Sequence, residues 1–461
     1  MMKHPLVKKV VVIVLLSVLL MIPLMMIEDV VKERSSYREE ARYSIAQSWT
    51  GEQQVLGPLL VVPYKERFTV KQWNKEAKRY EEEERVFDRR LLIAPEGLTV
   101  DGEVATETRK RGIYEVPVYR SQLAVTGSFD LSGIDEVATR TEHQIEWQEA
   151  VLSVSISDTR GVEVQPVLKW RNQTIQFKPD TLVDGIRNGM HANLGQLQTQ
   201  GGLAEFSFDL HLNGMEMLSF APMGKSTSIR LKADWPDPSF VGRYLPSSRE
   251  IDLEGFRAKW NLSSFSSGVP RYLENCQEGD CSELAQESFG VRLFNSVDIY
   301  QQSERSVKYA LMFIGLTFVS FFLYELMKGL RMHPMQYLLV GLGLSVFYLL
   351  LISLSEHMSF VFAYCTASLA STLLIGFYVS SVFNSVKHGG ILTAELLLLY
   401  GTLYGILSAE DSSLLMGSLL IFGVLSLVMV VTRRLDWYEV TDNLTARLSV
   451  MKTADEVGTV S

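Results

Sequence analysis

The chain has 461 residues and a formal net charge of −9, and its long apolar runs lie near the two ends of the sequence. The middle region, residues 28–304, holds 32 Lys and Arg against 43 Asp and Glu, which gives it a net charge of −11. A region of this sign repels polyanions, so the composition argues against a nucleic acid partner.

The N-terminal region, residues 1–27, is predicted to be a transmembrane anchor. Three lysines precede an apolar run over residues 10–27, which is about as long as a membrane span. No small-residue cleavage pattern follows, so we expect an uncleaved anchor, kinked by Pro23, rather than a signal peptide. Residues 28–50 place apolar side chains at roughly helical spacing among charges, which predicts a helical extension into water.

Residues 51–304 are predicted to form a large β-rich domain. Apolar and polar residues alternate in more than a dozen short runs, such as FSFDLHL at 206–212, and Gly, Pro, Asn or Asp separates the runs. Alternation of this kind buries one face of a strand, and the pattern favours an antiparallel β-sandwich-type domain. The highly charged run at 71–90 predicts an exposed hairpin or a solvated helix, with an acidic docking surface as the alternative.

Two cysteines lie close together near the end of this domain. Cys276 and Cys281 are predicted to form a disulfide if the domain faces an oxidising compartment. Two free thiols and a metal site are the alternatives, and the metal site is disfavoured because no second pair of ligands lies nearby. We therefore expect no metal.

Residues 306–432 are predicted to be a membrane block of five helices. The apolar runs are close to the roughly 20 residues that a helix needs to cross a bilayer. A GxxxG spacing at Gly401 and Gly405 would permit close helix contact, within the chain or in an oligomer formed through the membrane helices. The predicted spans are 307–327, 334–354, 358–382, 389–408 and 412–431.

The charges of the connecting loops predict the orientation. Lysines or arginines follow the first, third and fifth of these spans, whereas the other two loops carry none. The positive-inside rule then places both termini, including the tail at 433–461, in the cytoplasm. Six spans in total are consistent with that arrangement, and residues 28–304 would be periplasmic.

Two groups of polar residues in the membrane block are candidate functional residues. Glu325 and Glu395 are intramembrane acids, which often line a proton or substrate pathway but also serve packing and folding. The polar residues of the two outer loops could contact the soluble domain or simply end their spans. These outer-loop residues are Glu356, His357, Glu410 and Asp411.

The catalytic templates that we searched for do not occur. HExxH, GxSxG and GxGxxG are absent, and the segment APMGKST at 221–227 lacks the first glycine of a phosphate-binding loop because Ser219 stands there. We therefore expect no catalytic residue, no cofactor and no enzymatic activity.

Several long strings occur in an order that is typical of one family. They are GPLLVVPYKE (57–66), SDTRGV (157–162), DWPDPSFVGRYLPSSREI (234–251), HPMQYLLVGLGLSVFYLLLISLSEH (333–357), SAEDSSLLMGSL (408–419) and RRLDWY (433–438). With these strings the chain resembles the CreD family of bacterial inner-membrane proteins, also called cell envelope integrity proteins. The resemblance implies one N-terminal span, a periplasmic domain and a C-terminal cluster of spans. It also implies a link to a two-component regulon and to the sensitivity of cells to colicins and β-lactams, but no catalytic residues. The cysteine pair is not part of the family pattern.

The sequence therefore predicts a non-enzymatic inner-membrane protein that contributes to cell envelope integrity and the envelope stress response through its periplasmic domain. Its predicted partners are the lipid bilayer and an unidentified periplasmic protein or envelope component. The first alternative is a transporter or lipid-handling protein whose periplasmic domain acts as a receptor. The second is a hydrolase of cell-wall sugars, which would need a pair of carboxylates about 5 to 9 Å apart.

Overall fold

The computed structural model describes most of the chain. It divides the chain into two compact units, which we call the membrane unit (Met1–Arg38 with Val297–Ser461) and the β unit (Glu39–Ser296). The described residues are 5–74, 79–132, 134, 144–186, 188–197, 202–277, 281–293, 299–328, 332–408 and 413–433.

The N-terminal helix consists of α1 (Pro5–Leu19) and α2 (Met21–Ser48), separated by a single turn residue, Leu20. Pro23 explains the interruption, because it has no N–H to donate to the carbonyl of Leu19 and its ring crowds that group. The interruption therefore lies at Leu20, three residues before Pro23, which was expected to kink the helix. The hydrogen bond from Leu20 N–H to Leu16 O, 2.9 Å long, continues the helical ladder into the turn.

The described part of the β unit consists mainly of strands, with two short helices, α3 (Val269–Gln277) and α4 (Ser282–Gln286), near its end. The strands are β1 (Gln53–Asn74), β2 (Arg79–Ile93), β3 (Gly97–Arg111), β4 (Tyr114–Asp130), β5 (Gln144–Trp147), β6 (Ala150–Ile156), β7 (Val167–Trp170), β8 (Gln173–Gln176), β9 (Lys178–Pro179), β10 (Gly189–Gly195), β11 (Leu203–Met215), β12 (Met217–Phe220), β13 (Ser226–Ala233), β14 (Pro238–Gly242), β15 (Ser248–Asp252), β16 (Gly255–Ser263) and β17 (Phe289–Leu293).

The strands form two sheets. One has the order β14-β17-β12-β1-β6-β10-β9, with β2 and β5 also paired to β1, and the other has the order β15-β16-β13-β3-β4-β11-β7-β8. The prediction of antiparallel sheets is wrong at two places, because β1 pairs with β12 and β3 pairs with β13 in parallel. Both parallel pairs join strands that are far apart in sequence, and such pairs can form only through long connections. The sandwich-type packing stays a prediction.

Alternating side chains give the β unit its core. Phe206, Phe208 and Leu210 of β11 are buried, whereas Asp209 between them is exposed. Apolar side chains from both sheets join one hydrophobic cluster. The described parts of the charged run, 71–74 and 79–90, belong to the long antiparallel pair of β1 and β2, as in the predicted hairpin and not as in a solvated helix.

The membrane unit adds six described helices to the N-terminal helix. A short polar helix, α5, precedes the apolar ones and ends just before the first of them begins. These helices are α5 (Ile299–Lys308), α6 (Ala310–Lys328), α7 (Pro334–Ser355), α8 (Phe360–Val382), α9 (Val386–Ser408) and α10 (Ser413–Thr432).

Five helices of the described chain are long and apolar enough to cross a membrane: the N-terminal helix and α6 to α9. The apolar segment of α10, Leu415–Val430, is shorter. Large apolar side chains such as Phe362, Leu373 and Phe377 project outward from α8, as a lipid environment requires. The count of six spans stays a prediction.

The glycines of the membrane unit show where helices approach one another. A Cβ atom on Gly341 of α7 would overlap the side chain of Leu20, and one on Gly376 of α8 would overlap Thr393. In contrast, a Cβ on Gly401 meets no atom of the described chain within 4 Å, and one on Gly405 meets only Met416, at 3.6 Å. The GxxxG spacing therefore makes no close backbone contact within the described chain.

Candidate functional site

Glu325 lies at the centre of a polar cluster near the end of α6. Its carboxylate accepts hydrogen bonds from the hydroxyl of Tyr337 on α7 (3.0 Å) and from the backbone N–H of Met332 (3.0 Å). Lys9 of α1 forms an ion pair with the same carboxylate and donates a second hydrogen bond to the carbonyl of Met332 (3.2 Å). We call Lys9, Glu325 and Tyr337 the inner clasp, because they join three helices.

The inner clasp balances its own charges. The side chain of Glu325 is 8% exposed and that of Lys9 is 25% exposed. A buried carboxylate is tolerated only when it is paired and hydrogen-bonded, and both oxygens of Glu325 have donors. The Lys9 ammonium also lies 5.7 Å from the ring centre of Tyr337, within the range of a cation–π contact.

Local sequence positions Tyr337 for this role. His333 caps the start of α7. Its ring Nδ1 accepts a hydrogen bond from the backbone N–H of Met335, and its backbone N–H donates one to the side-chain oxygen of Gln336. Pro334 occupies the first turn, where its missing N–H costs nothing. A helix that begins at this point places Tyr337 on its buried side in its first turn.

Glu356 caps the other end of α7 and is also paired. Its Oε1 lies 3.6 Å from Nε of Arg34 on α2, and the hydroxyl of Tyr300 on α5 donates to the same oxygen across 3.4 Å. We call Arg34, Glu356 and Tyr300 the outer clasp. His357 takes no part in it, since its ring is exposed and contacts only the carbonyl of Ser353. Glu410 and Asp411 lie outside the described residues.

Together the two clasps fix the N-terminal helix along α7. The helix contacts α7 and its neighbours through Lys9, then packs Leu20 against Gly341, and then contacts Glu356 through Arg34. Lys9 and Arg34 are 25 residues apart, or about 37 Å along a continuous helix. Glu356 and Glu325 thus contact one and the same N-terminal helix.

Glu395 lies apart from both clasps. It is on α9 and half buried, and its hydrogen-bonding neighbour is Ser320 of α6, five residues before Glu325. No Lys, Arg or His of the described chain lies within ion-pair distance of it. The two acids that the sequence grouped together therefore differ, because Glu325 has a cation partner and Glu395 has none among the described residues.

The same N-terminal helix is also fastened within the β unit, at the far end of α2. Arg42 pairs with Glu216 (2.7 Å) and Glu52 (2.8 Å), and Arg292 also pairs with Glu52 (3.0 Å). One turn later, Ile45 is buried in a small apolar cluster whose other members are Val116, Val118 and Met215.

The string SDTRGV, at 157–162, caps the C-terminal end of α2. The Arg160 guanidinium donates to the carbonyls of Gln47 (2.8 Å) and Ala46 (3.1 Å), which are among the last carbonyls of the helix. Asp158 holds Arg160 in place and accepts from the N–H of Gly51 (3.0 Å). A cation at a helix C-terminus complements the helix dipole. The hydrogen bond from Arg160 lowers the pKa of Asp158, although burial opposes the shift.

Two residues of the string DWPDPSFVGRYLPSSREI, at 234–251, contact a buried acid elsewhere in the β unit. Glu287 is almost fully buried and pairs with Arg243, and the hydroxyl of Tyr244 donates to it across 2.6 Å. Burial, followed by the neighbouring Glu287 carboxylate, raises the pKa of Tyr244 to about 12. Tyr244 therefore stays protonated and remains a hydrogen-bond donor to Glu287 at physiological pH.

Cys276 and Cys281 are joined by a disulfide between α3 and the start of α4. Both cysteines are buried in the main hydrophobic cluster of the β unit. Within the residues that the structure describes, no group of three or more His, Cys, Asp or Glu side chains could hold a metal ion. The segment APMGKST leads into strand β13 rather than a helix, so it lacks the geometry of a phosphate-binding loop.

Sequence reasoning missed most of these contacts. It treated Lys9 only as a marker of orientation, and it assigned no role to Arg34, Tyr337 or Arg42. Charged residues at helical spacing after the apolar run were the available signal, but their partners lie far away in sequence.

Comparison with known proteins confirms the resemblance to the CreD family. A family model described as "Inner membrane protein CreD" matches residues 5–438. The Inner membrane protein CreD of Escherichia coli (strain K12) is 35% identical over 441 residues, which cover 96% of this chain and 94% of that protein.

Proposed function

Because the chain belongs to the CreD family of inner membrane proteins, we propose that it supports cell envelope integrity and the envelope stress response without catalysing a reaction. In this proposal the β unit engages a periplasmic protein or another envelope component. The membrane unit anchors the β unit and responds to its state.

One observation carries the proposal: a single helix is fastened in both units. The inner and outer clasps hold the N-terminal helix in the membrane unit, and Arg42, Ile45 and the Arg160 cap hold it in the β unit. A helix with specific contacts in each of two units can couple their states.

The charges of the connecting loops support an orientation. Lysines or arginines lie at or just after the ends of α6 and α10, and Lys387 lies in the first turn of α9, whereas the loops after α7 and α9 contain none. We propose six spans, with both termini in the cytoplasm and residues 28–304 in the periplasm. The disulfide agrees with this arrangement, because disulfides persist in oxidising compartments.

The test is complementation of a strain that lacks the protein. Sensitivity to detergent and to a β-lactam would be measured in cells that express the natural chain, Arg42→Gln or Lys32→Gln at equal levels. Arg42→Gln should fail to restore resistance, because it leaves Glu216 and Glu52 of the β unit without this cation. Lys32→Gln is the matched control on the same helix, since its exposed pair with Glu28 contributes little. Full rescue by Arg42→Gln at normal protein level would contradict the coupling.

Glu395 favours a second candidate function, transport or lipid handling by the membrane unit. It is a half-buried acid whose described neighbour is the hydroxyl of Ser320 rather than a cation. An unpaired intramembrane acid is a default candidate for a functional group. In this case Glu395→Gln should abolish complementation while Glu395→Asp retains part of it. Normal complementation by Glu395→Gln would remove this candidate.

A further inference from the structure

The exposed face of the eight-stranded sheet carries a groove that none of the contacts above uses. A concavity of about 840 Å³ continues into a second one of about 450 Å³, and the two share six lining residues. The shared residues come from six adjacent strands and lie in one row across the sheet: Glu250, Arg257, Lys232, Glu103, Gln122 and His211. Six strands at about 4.8 Å make this row about 24 Å long.

Two neighbouring strands place four cations side by side in this groove. Lys259 of β16 lies opposite Arg230 of β13, and Arg257 lies opposite Lys232 two residues further along. All four side chains point away from the core, because the residues between them on both strands are buried. Like charges directly opposite each other destabilise a sheet. We call these four residues the basic groove.

Counter-ions neutralise the basic groove only in part. Arg230 pairs with Asp101, Lys232 lies 3.8 Å from Glu103, and Arg257 lies 3.5 Å from Glu250. Lys259 has no carboxylate within 4 Å among the described residues. The larger concavity is lined by five basic and four acidic side chains, whereas the smaller one is lined by three basic and six acidic side chains. The excess of basic side chains is therefore confined to the larger concavity, and this part of the groove is suited to an anion.

The surroundings of the basic groove are polar rather than apolar. The next row across the same face consists of short hydroxyl and amide side chains, and no exposed aromatic side chain lines either concavity. Protein partners usually bind through aromatic anchors in apolar pockets, which this face does not offer. The neighbouring polar row is Asn261, Ser228, Thr99, Thr126 and Ser207.

We propose that the basic groove binds an anionic saccharide chain. Its carboxylate or phosphate groups would contact Lys259, which has no carboxylate partner among the described residues, and Arg257, whose contact with Glu250 is long at 3.5 Å. Guanidinium and ammonium groups form charge-assisted hydrogen bonds with both kinds of anion. Hydroxyl and amide side chains beside them would exchange hydrogen bonds with sugar hydroxyls. Strands β13, β3 and β4 lie inside the sheet, so an extended peptide cannot add to them as a new strand.

The test is equilibrium binding to the full-length chain in detergent micelles at low ionic strength. The probes are fluorescent oligogalacturonate, phosphorylated maltoheptaose, neutral maltoheptaose and an oligoglutamate of equal charge. At least one anionic saccharide should bind at least tenfold more tightly than neutral maltoheptaose and the oligoglutamate. Which of the two saccharides binds identifies the anion as carboxylate or phosphate. Equal binding of the neutral probe, or stronger binding of the oligoglutamate, would overturn the proposal.

Variants assign the binding to the groove. Lys259→Glu should weaken binding at least tenfold, Lys259→Arg should retain it, and Lys178→Glu, on β9 of the other sheet, should leave it unchanged. Lys259→Gln should also weaken binding but should not lower the melting temperature, because it removes a like-charge contact with Arg230. A drop in melting temperature together with unchanged binding would show that Lys259 has only a structural role. These outcomes do not depend on the complementation result.

Discussion

Leu20 packs against the bare backbone of Gly341, in the space that any larger side chain at position 341 would need. This contact lies between the inner and outer clasps, at the one turn residue between α1 and α2. Because position 341 is a glycine, the N-terminal helix can approach α7 closely at this point.

The first prediction concerns this contact. Gly341→Ala should destabilise the protein by about 1 to 3 kcal/mol, which is typical of overpacking, despite the better helix propensity of alanine. The measurement is thermal unfolding in detergent. Leu20→Ala combined with Gly341→Ala should recover part of the loss, since it removes the overlapping atoms. Gly315→Ala is the control, because a Cβ there meets no described atom within 4 Å, and equal losses in both variants would contradict the interpretation.

The second prediction concerns the inner clasp. Lys9→Met should destabilise the membrane unit by about 3 to 5 kcal/mol, because it leaves the buried Glu325 carboxylate without its cation. Combining Lys9→Met with Glu325→Gln should cost less than Lys9→Met alone. Unfolding in detergent gives the coupling between the two positions, and strictly additive effects would mean that the pair contributes nothing.

The third prediction concerns pH and the Arg160 cap. The pKa of Asp158 is lowered from the ordinary value of 3.8, so this group adds stability above about pH 3.8 and loses it as the pH falls toward its folded-state pKa. Arg160→Gln should therefore destabilise the protein more at pH 5 than at pH 3. A difference should remain at pH 3, because Arg160 also donates to the carbonyls of Ala46 and Gln47. Urea unfolding of the full chain at both pH values checks this. A destabilisation that grows toward pH 3 would contradict the assignment.

The fourth prediction concerns the disulfide. Replacing Cys276 and Cys281 by serine should lower stability by about 2 kcal/mol, as expected for so short a loop. Cys365→Ser should have little effect, since that cysteine is free and exposed. In cells, the pair should resist alkylation until a reductant is added. Alkylation without reductant would argue against both the bond and the periplasmic orientation.

The fifth prediction concerns the outer clasp. Arg34→Gln should destabilise the membrane unit less than Lys9→Met does, because the Arg34 side chain is 45% exposed and its pair with Glu356 is longer. Unfolding of the two variants side by side makes the comparison. A larger loss for Arg34→Gln would mean that the outer clasp is the stronger attachment.

The sequence was informative wherever a pattern is local. The alternation at 206–212 predicted which face of β11 is buried, and the apolar runs predicted the long helices α7 to α9 within a few residues. The parallel pairing of β3 with β13 could not be predicted, because strand direction depends on the route of more than a hundred intervening residues. The same limit applies to the clasps. Glu325 was recognised as an unusual residue, but nothing local to it indicates Lys9, and the unpaired Glu395 looked equivalent to it.

The two charged residues of the inner clasp are synthesised at very different times. Lys9 precedes Glu325 by 316 residues. At a synthesis rate of about 5 to 20 residues per second, Glu325 is therefore added roughly 15 to 60 seconds after Lys9. During that interval α1 must hold a lone ammonium group, which is tolerable only close to water. Glu325, in contrast, is synthesised when Lys9 is already present in the chain. In the folded chain the later residue is the more enclosed of the two, with 8% of its side chain exposed against 25% for Lys9.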